Sequence, residues 1–217
     1  MLRIREHRFP ISLTQASREF FGRSAPLYAG QTRADLEAIG TGAADAAAFD
    51  RVAAANRLWN AFLRTTCIST VIEGGHSVNA QPQRAEANVN CRIMPGETVE
   101  YIHSKLQALV ADPKVSLTLA APPGPQSRAP ELTPRILAPV EKIVAELWPG
   151  VPVIPTISTG ATDGRFLNNA GIWTYGVSGM FLPPEGSFAH GLNERLPVKS
   201  LYEGYEFLYQ LAKRLSS

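Results

Sequence analysis

Three short polar segments of the sequence carry the residue types that could do chemistry. The first is GGHSVNAQP (74–82), between two predicted strands, and the second is STGATDGRF (158–166), between a predicted strand and a helix start. The third is FAHGLNER (188–195), just before the last predicted helix. A helix start offers free N–H groups for a carboxylate or an oxyanion, and a histidine such as His190 can bind a metal. We therefore expect any site to draw on these segments.

Each candidate residue also has a purely structural interpretation. His190 could be a loop histidine bonded to backbone, Asp163 could be a helix N-cap, and Arg92 could be a solvated residue on the outer face of a sheet. We expect His76 and His103 to be ordinary, one in a loop and one on a helix surface. Residue type alone therefore leaves both interpretations open.

The composition excludes several classes of protein. The 217 residues include 21 Lys and Arg and 19 Asp and Glu, which gives a net charge of +2. A nucleic-acid binder usually carries a clustered excess of basic residues instead. The apolar share of 45% and the charged share of 18% are typical of a folded globular protein. No apolar run approaches the roughly 18 residues of a membrane span, and we expect no secretory leader in MLRIREHRFPIS. The compartment stays unknown, with the cytoplasm favoured.

The first part of the chain predicts a small α+β layer. The first sixty residues are helical in pattern, and residues 65–73 are β-branched. Residues 85–93 alternate strictly between apolar and polar side chains. This period of two places Ala85 and every second residue after it on a buried face, and Glu86 and every second residue after it on the opposite face. These two strands predict an antiparallel hairpin, followed by a helix over 98–110 and a strand over 115–119. We expect helices to cover one face of this two-layer arrangement.

The pattern of the second part of the chain predicts an α/β segment. The Pro/Gly linker 121–130 separates it from the first part. The predicted elements are a helix from Pro134 to about 147, strands over 151–158 and 172–178, a short helix over 163–169, and a last helix that opens with a capping box at Ser200. The residues of the last helix expected to face the core are Leu201, Tyr205, Leu208, Leu211 and Leu215.

The two cysteines should lie nearly opposite each other. A hairpin centred on the 74–83 loop brings Cys67 and Cys91 into register. A cross-strand disulfide would be strained, and a reducing compartment would prevent it. We therefore expect two small buried thiols.

Taken together, the polar segments resemble a known enzyme family. The stretches GGHSVNAQPQRAEANVNCRIMPGE, STGATDGRF with IWTYGVSG, and AHGLNERLPV resemble, in this order, the M20 zinc metallopeptidases: aminoacylase, acetylornithine deacetylase, succinyl-diaminopimelate desuccinylase and glutamate carboxypeptidase. The resemblance implies that residues 1–121 form a lid or dimerisation domain lacking its first part. It also implies that residues 122–217 form the C-terminal segment of an α/β catalytic domain.

The resemblance also implies roles for individual residues. His190 matches a ligand of one of the family's two zinc ions. Asn79 and Arg92 match lid residues that hold the substrate's carboxylate and reacting carbonyl, and Gly160 and Ala161 match backbone contacts to substrate. A planar guanidinium pairs well with a carboxylate. The implied substrate is a small N-acyl amino acid or peptide with a free carboxylate, and the implied partner is a second copy bound through the lid.

The departures from the family are equally informative. The family's remaining ligands and its general base come from a His-x-Asp motif and a Glu-Glu pair, and the sequence contains neither. A catalytic zinc needs about three protein ligands, so we assign no catalytic residue to this chain and expect it to bind little or no zinc alone. The hypothesis is the C-terminal portion of a metal-dependent amidohydrolase, inactive alone: a truncated reading frame, a fragment or a complementing half. The alternatives are a non-catalytic dimerisation or binding module, and an inactive pseudogene product.

Overall fold

The computed structural model describes residues 1–126, 128–183, 185–186, 188–189 and 191–216. Its elements are α1 (Leu2–Glu6), α2 (Gln15–Ser24), a 3-10 turn (Ala25–Leu27), α3 (Gly30–Thr41), α4 (Ala46–Ala55), α5 (Arg57–Leu63), β1 (Thr66–Gly74), β2 (Ala85–Arg92), α6 (Val99–Val110), α7 (Pro134–Leu147), α8 (Gly164–Asn169) and α9 (Val198–Leu215). No helix within these ranges is long and apolar enough to span a membrane.

The chain divides into two compact units. The first contains Met1–Pro130 and Pro155–Thr174, and the second contains Glu131–Ile154 and Tyr175–Ser217. The first unit is a small α+β domain of helices and a two-stranded sheet. The assignment of 1–121 to a lid and of 122–217 to a catalytic segment stays a prediction.

Helices α2 to α5 form the helical layer of the first unit, as predicted. The Thr14 hydroxyl caps α2 by accepting the N–H of Ser17 at 3.1 Å, and Asn56 separates α4 from α5 by capping the latter. Gly42, with φ 82°, ends α3, whereas Gly40 lies inside that helix. The buried cluster consists of Phe21, Ala25, Leu36, Ile39, Val52, Trp59, Phe62 and Leu63.

Strands β1 and β2 form the predicted antiparallel hairpin. Its register pairs Thr66 with Arg92 at the base and Gly74 with Ala85 near the tip, with a bulge at Thr70 between Ser69 and Val71. One face of the hairpin base packs on α1 and α6. The cluster formed there contains Ile4, Phe9, Ile102 and Leu106, with Cys67, Val89, Cys91 and Ile93 against it.

The buried face predicted for β2 is present only at the base of the hairpin. Val89 and Cys91 are half-buried, whereas Ala85 and Ala87 are exposed. Helix α6 has 12 residues, a length of about 18 Å, while eight residues of strand extend about 26 Å. The helix is therefore too short to cover the outer hairpin, which is why the alternation does not bury that half.

The expectation of two free thiols is wrong. A disulfide joins Cys67 to Cys91, and the two residues are Cα partners in the hairpin register. Opposite residues on one face of an antiparallel pair bring their β-carbons close together, so the register itself brings the sulfurs within bonding reach. The expectation of free thiols was based on the strain of a cross-strand disulfide and on a reducing compartment, and not on this proximity of the two sulfurs.

Three predicted strands are not strands among the described residues. Segments 115–119, 151–158 and 172–178 join no ladder, and β1 with β2 is the sheet of the described chain. A strand forms only where a neighbour pairs with its N–H and C=O groups, which composition does not report. In the first segment the Leu117 carbonyl instead lies 3.3 Å from Nε2 of His103.

Helices α7 and α9 build the core of the second unit from Ile143, Val144, Phe207 and Leu211. The capping box predicted at Ser200 is wrong, because α9 begins at Val198 and the Ser200 hydroxyl donates to the Phe181 carbonyl at 2.7 Å. The predicted core face is also wrong except for Leu211. The buried residues of α9 are Ser200, Gly204, Phe207 and Leu211, and the exposed ones include Leu201, Tyr205, Leu208 and Leu215.

Small residues explain which face of α9 is buried. A Cβ at Gly204 would lie 2.5 Å from the Met180 side chain and 2.9 Å from the Ser178 carbonyl. Only a glycine allows the backbone of that segment to approach the helix so closely. The large apolar side chains on the other face of α9 have no closely packed backbone segment against them within the described part of the second unit. A prediction based on side-chain size therefore selects the wrong face as buried.

Candidate functional site

Asn79 lies in the exposed connection between β1 and β2. Its carboxamide oxygen accepts a hydrogen bond from the Ser77 hydroxyl at 2.5 Å, which stabilises the turn locally. The amide nitrogen points to no described partner, so a donor for a ligand remains on this side chain. Except for Gly74, which ends β1, the polar segment 74–82 lies in the connection between the two strands, as the sequence predicts.

Arg92 is the last residue of β2 and is exposed. Strand alternation places it on the face opposite Cys91, which packs against the apolar cluster. Within the described chain Arg92 forms no ion pair, whereas Arg84 near the hairpin tip pairs with Glu86. The Arg92 guanidinium is therefore an available binding group for an anion.

The backbone around Arg92 is held from both sides. On one side the Cys67–Cys91 disulfide joins the adjacent pair of residues. On the other side Thr65, which is 1% exposed, donates to the Glu97 carboxylate at 2.5 Å and accepts the Met94 N–H at 2.9 Å. These bonds close the base of the hairpin. Sequence reasoning missed Thr65, because nothing in its residue type distinguishes it from the neighbouring threonine.

The hairpin does not bring Asn79 and Arg92 together. Arg92 is at the base of β2, and the loop with Asn79 follows the opposite end of the hairpin. Seven residue steps from Ala85 to Arg92 correspond to about 23 Å of extended strand. The register therefore places Arg92 at one end of the hairpin and the loop that contains Asn79 at the other.

The polar segment 158–166 forms the turn that precedes α8 and the first three residues of that helix. The Gly160 N–H donates to the Ser158 hydroxyl at 3.3 Å, and Ala161 is exposed. Asp163 occupies the N-cap position, although its side chain accepts no capping hydrogen bond. One of the two backbone groups expected to contact substrate is therefore already used within the turn.

Asn168 is the residue that anchors α8, and sequence reasoning did not single it out. It is 6% exposed, and its carboxamide oxygen accepts from the Thr174 N–H at 2.8 Å and the Thr174 hydroxyl at 2.9 Å. Its amide nitrogen donates to the Arg128 carbonyl at 3.2 Å. These bonds connect the helix to the segment that follows it and to the segment around Arg128 that precedes it. Nothing in the sequence alone indicates these contacts, because they join residues that are brought together only by the fold.

His190 lies outside the described residues, so its assignment as a zinc ligand stays a prediction. Nearby, Arg195 pairs with Glu185 at 2.9 Å and lies over the Phe188 ring. The part of the chain that the structure describes contains no group of three or more His, Cys, Asp or Glu side chains that could hold a metal. The disulfide also removes both cysteines as ligands. These residues therefore do not fit a catalytic zinc, and zinc remains a property of the family.

The described groups with shifted pKa values lie outside the three polar segments. Hydrogen bonds from Arg51 lower the pKa of Asp35, and the Asp35 carboxylate in turn raises the pKa of Arg51. Burial lowers the pKa of Arg64 and raises that of Tyr175. The bidentate contact of Arg51 with Asp35, at 2.6 and 2.7 Å, joins α4 to α3. These shifts report structural contacts in the fold and give no acid or base to the candidate site.

Comparisons with known proteins agree with the resemblance. The family described as "Peptidase dimerisation domain" matches residues 9–118. The chain is 31% identical over 162 residues to an N-fatty-acyl-amino acid synthase/hydrolase of Homo sapiens, covering 72% of this chain and 32% of the relative. It is 30% identical over 156 residues to a similarly named protein of Danio rerio, covering 70% of this chain and 30% of that protein.

A third relative carries a peptidase name. The "Probable carboxypeptidase S-like 2" of Dictyostelium discoideum is 27% identical over 167 residues, covering 75% of this chain and 32% of the relative. The chain thus spans about a third of the length of these relatives. No solved structure matches the chain. Because the dimerisation-domain match covers half of the sequence and the motifs and relatives agree with it, the chain belongs to the M20 family of peptidases.

Proposed function

We propose that this chain is the C-terminal portion of a metal-dependent amidohydrolase that cleaves N-acyl amino acids or small peptides with a free carboxylate. The observation that carries the proposal is the exposed Arg92, which lies on a clamped strand base and has no carboxylate partner in the described chain. The names of the relatives, which include an N-fatty-acyl-amino acid hydrolase and a carboxypeptidase-like protein, support this substrate class.

In the proposed complex Arg92 binds the substrate carboxylate. Its guanidinium presents two parallel N–H donors to the two carboxylate oxygens, and hydrogen bonds to charged groups stabilise by about 1.5–3 kcal/mol. The reacting amide of an acyl amino acid is only a few bonds from its carboxylate. Because Asn79 lies in the loop beyond the far end of β2, which extends about 23 Å from Arg92 to Ala85, we keep Asn79 as a separate polar contact. Gly160 and Ala161 are proposed to contact substrate through the backbone.

The reaction itself needs groups that this sequence does not contain. Amide hydrolysis by this family needs a water activated by metal and a general base, and neither His-x-Asp nor Glu-Glu occurs here. His190 is proposed as one zinc ligand of the intact enzyme, and one imidazole is too few to hold the ion. We therefore expect no turnover from the chain alone.

The proposed partner is a second copy of the chain, bound through residues 9–118, in keeping with the name of the family. A non-catalytic dimerisation or binding module is the alternative function. It is supported by the description of the matched family as a dimerisation domain. The two functions differ in what Arg92 does, because only the hydrolase needs it to recognise a carboxylate.

The proposal is tested by calorimetric titration of the 217-residue chain with an N-acyl amino acid and with its methyl amide, which lacks the carboxylate. We expect Arg92→Ala to weaken binding of the acid by roughly tenfold or more. Arg84→Ala is the matched control, since Arg84 is an exposed arginine of the same hairpin that already pairs with Glu86. Product analysis of the same mixtures, with zinc added, should show no hydrolysis.

Two outcomes would contradict the proposal. If Arg92→Ala binds the acid as tightly as the unmodified chain does, Arg92 does not recognise the carboxylate and the module is favoured. If the chain alone releases free amino acid, the account of an incomplete catalytic site is wrong.

A further inference from the structure

The disulfide divides the β-hairpin into two parts with different support. Cys67 and Cys91 are 24 residues apart in sequence and adjacent to the Thr66–Arg92 pair. At the level of the disulfide the hairpin packs against Ile102 and Leu106 of α6. Toward the tip, the hairpin is exposed on both faces.

Side chains of the outer hairpin illustrate this lack of support. Val71 is 47% exposed and Ile72 is 70% exposed, although they occupy opposite faces in the register. The ladder is also interrupted at the Thr70 bulge. A two-stranded hairpin without a packed face is at best marginally stable in water. Besides the strand ladder and the Asn88–Thr70 side-chain hydrogen bond at 2.9 Å, the covalent bond at the base is therefore what constrains the outer part.

We infer that the Cys67–Cys91 disulfide is a redox-controlled clamp on this hairpin. In the oxidised chain the clamp keeps β1 and β2 in register, up to the pair that contains Arg92. In the reduced chain the outer hairpin opens while the helical layer of the same unit stays folded. The clamp does not depend on the proposed role of Arg92.

The chemical step is a thiol–disulfide exchange with a dithiol. One thiolate of the dithiol attacks a cysteine sulfur and forms a mixed disulfide, and the second thiol then displaces the protein thiol. The chain gains two electrons and two protons as two thiols, and the dithiol leaves as its own disulfide. Both cysteines are half-buried rather than fully enclosed, so a small dithiol can reach them once the hairpin fluctuates.

The effect should be local because the helical layer has its own core. The cluster built from Phe21, Leu36, Ile39 and Phe62 includes no residue of β1 or β2. At the base, the bonds of Thr65 to Glu97 and Met94 persist when the disulfide is reduced. Reduction should therefore loosen the tip side of the clamp much more than the base.

Hydrogen exchange measured by mass spectrometry tests the clamp in the 217-residue chain. Alkylation without reductant should first leave both sulfurs unmodified. After reduction by dithiothreitol, we expect peptides within 67–91 to exchange roughly tenfold faster or more, while peptides of α3 and α4 keep their rates. The double variant Cys67→Ser/Cys91→Ser should exchange like the reduced chain and should not respond to dithiothreitol. The single variant Ser69→Ala, which keeps the disulfide between the same strands, is the matched control.

Three results would overturn the inference. These are alkylation of both thiols without reductant, equal exchange of 67–91 in the oxidised and reduced chain, and faster exchange of α3 and α4 together with the hairpin. No substrate is present in this experiment. A failure of Arg92 to bind a carboxylate would therefore leave the clamp standing, and the reverse also holds.

Discussion

The contact between α2 and α3 makes a sharp prediction about Gly40. The two helices cross where Gly22 and Gly40 face each other, and a Cβ at Gly40 would lie 2.6 Å from the Gly22 Cα and 2.8 Å from its nitrogen. Both of these atoms are backbone, so no side-chain rotation can relieve the clash. Gly40→Ala must therefore move the helices apart.

The expected cost follows from two opposing effects. Overpacking of a tight core costs about 1–3 kcal/mol, and Phe21 and Ile39 beside the crossing are fully buried. Alanine in place of glycine within a helix stabilises by up to about 1 kcal/mol. We expect Gly40→Ala to lower the free energy of unfolding by about 1–2 kcal/mol. Gly22→Ala is the matched control, because its Cβ would lie 3.5 Å from the Gly40 Cα, an ordinary contact.

Urea unfolding followed by circular dichroism measures both variants under the same conditions. The midpoint should fall for Gly40→Ala and should stay unchanged or rise for Gly22→Ala. If Gly40→Ala is as stable as the unmodified chain, or if Gly22→Ala is the more destabilised variant, the helices do not cross at these two glycines.

Two further predictions concern the ion pair of α3 and the buried face of α9. Because Arg51 lowers the pKa of Asp35, the pair stabilises fully above the unfolded-state value of about 3.9 and progressively less as pH falls below it. Asp35→Asn should cost about 1–2 kcal/mol at pH 7 and flatten the acid limb of a melting-temperature profile, and an unchanged limb would contradict this. Leu211→Ala should cost about 2–5 kcal/mol in urea unfolding and Leu215→Ala almost nothing, and a similar large cost for both would restore the face predicted from sequence, which contains both residues.

The hairpin shows what sequence pattern predicts well. The β-branched composition of 65–73, the strict alternation in 85–93 and the position of the loop were enough to predict both strands, their antiparallel pairing and the near-opposition of Cys67 and Cys91. The bulge at Thr70 and the exposure of the outer half were not predictable. Both depend on tertiary partners, since burial is decided by how far α6 reaches along the strands.

The second half of the chain shows where pattern reasoning fails. Segments 151–158 and 172–178 have strand composition, but composition does not supply the neighbour that a strand needs. Helix α9 has apolar residues on two sides, and the side that is buried in the structure is the one that contains Ser200 and Gly204. Ranking residues by size alone therefore selects the wrong face.

For the candidate site the sequence motifs propose residues but not their geometry. The motifs indicate Asn79 and Arg92, yet they contain no information on the placement of these two residues at opposite ends of the hairpin. Thr65 and Asn168 position neighbouring backbone through buried hydrogen bonds, and single polar residues of these types occur throughout the sequence. Their roles depend on long-range contacts and therefore required the structure.

The central claim, that Arg92 recognises a substrate carboxylate, is tested most directly by NMR of the arginine side chains. The Nε–H signal of Arg92, assigned by its loss in Arg92→Ala, should shift in a saturable manner as an N-acyl amino acid is added to the oxidised chain. It should not shift with the corresponding methyl amide. Equal shifts with both compounds, or no shift with the acid while other signals respond to binding, would contradict the claim.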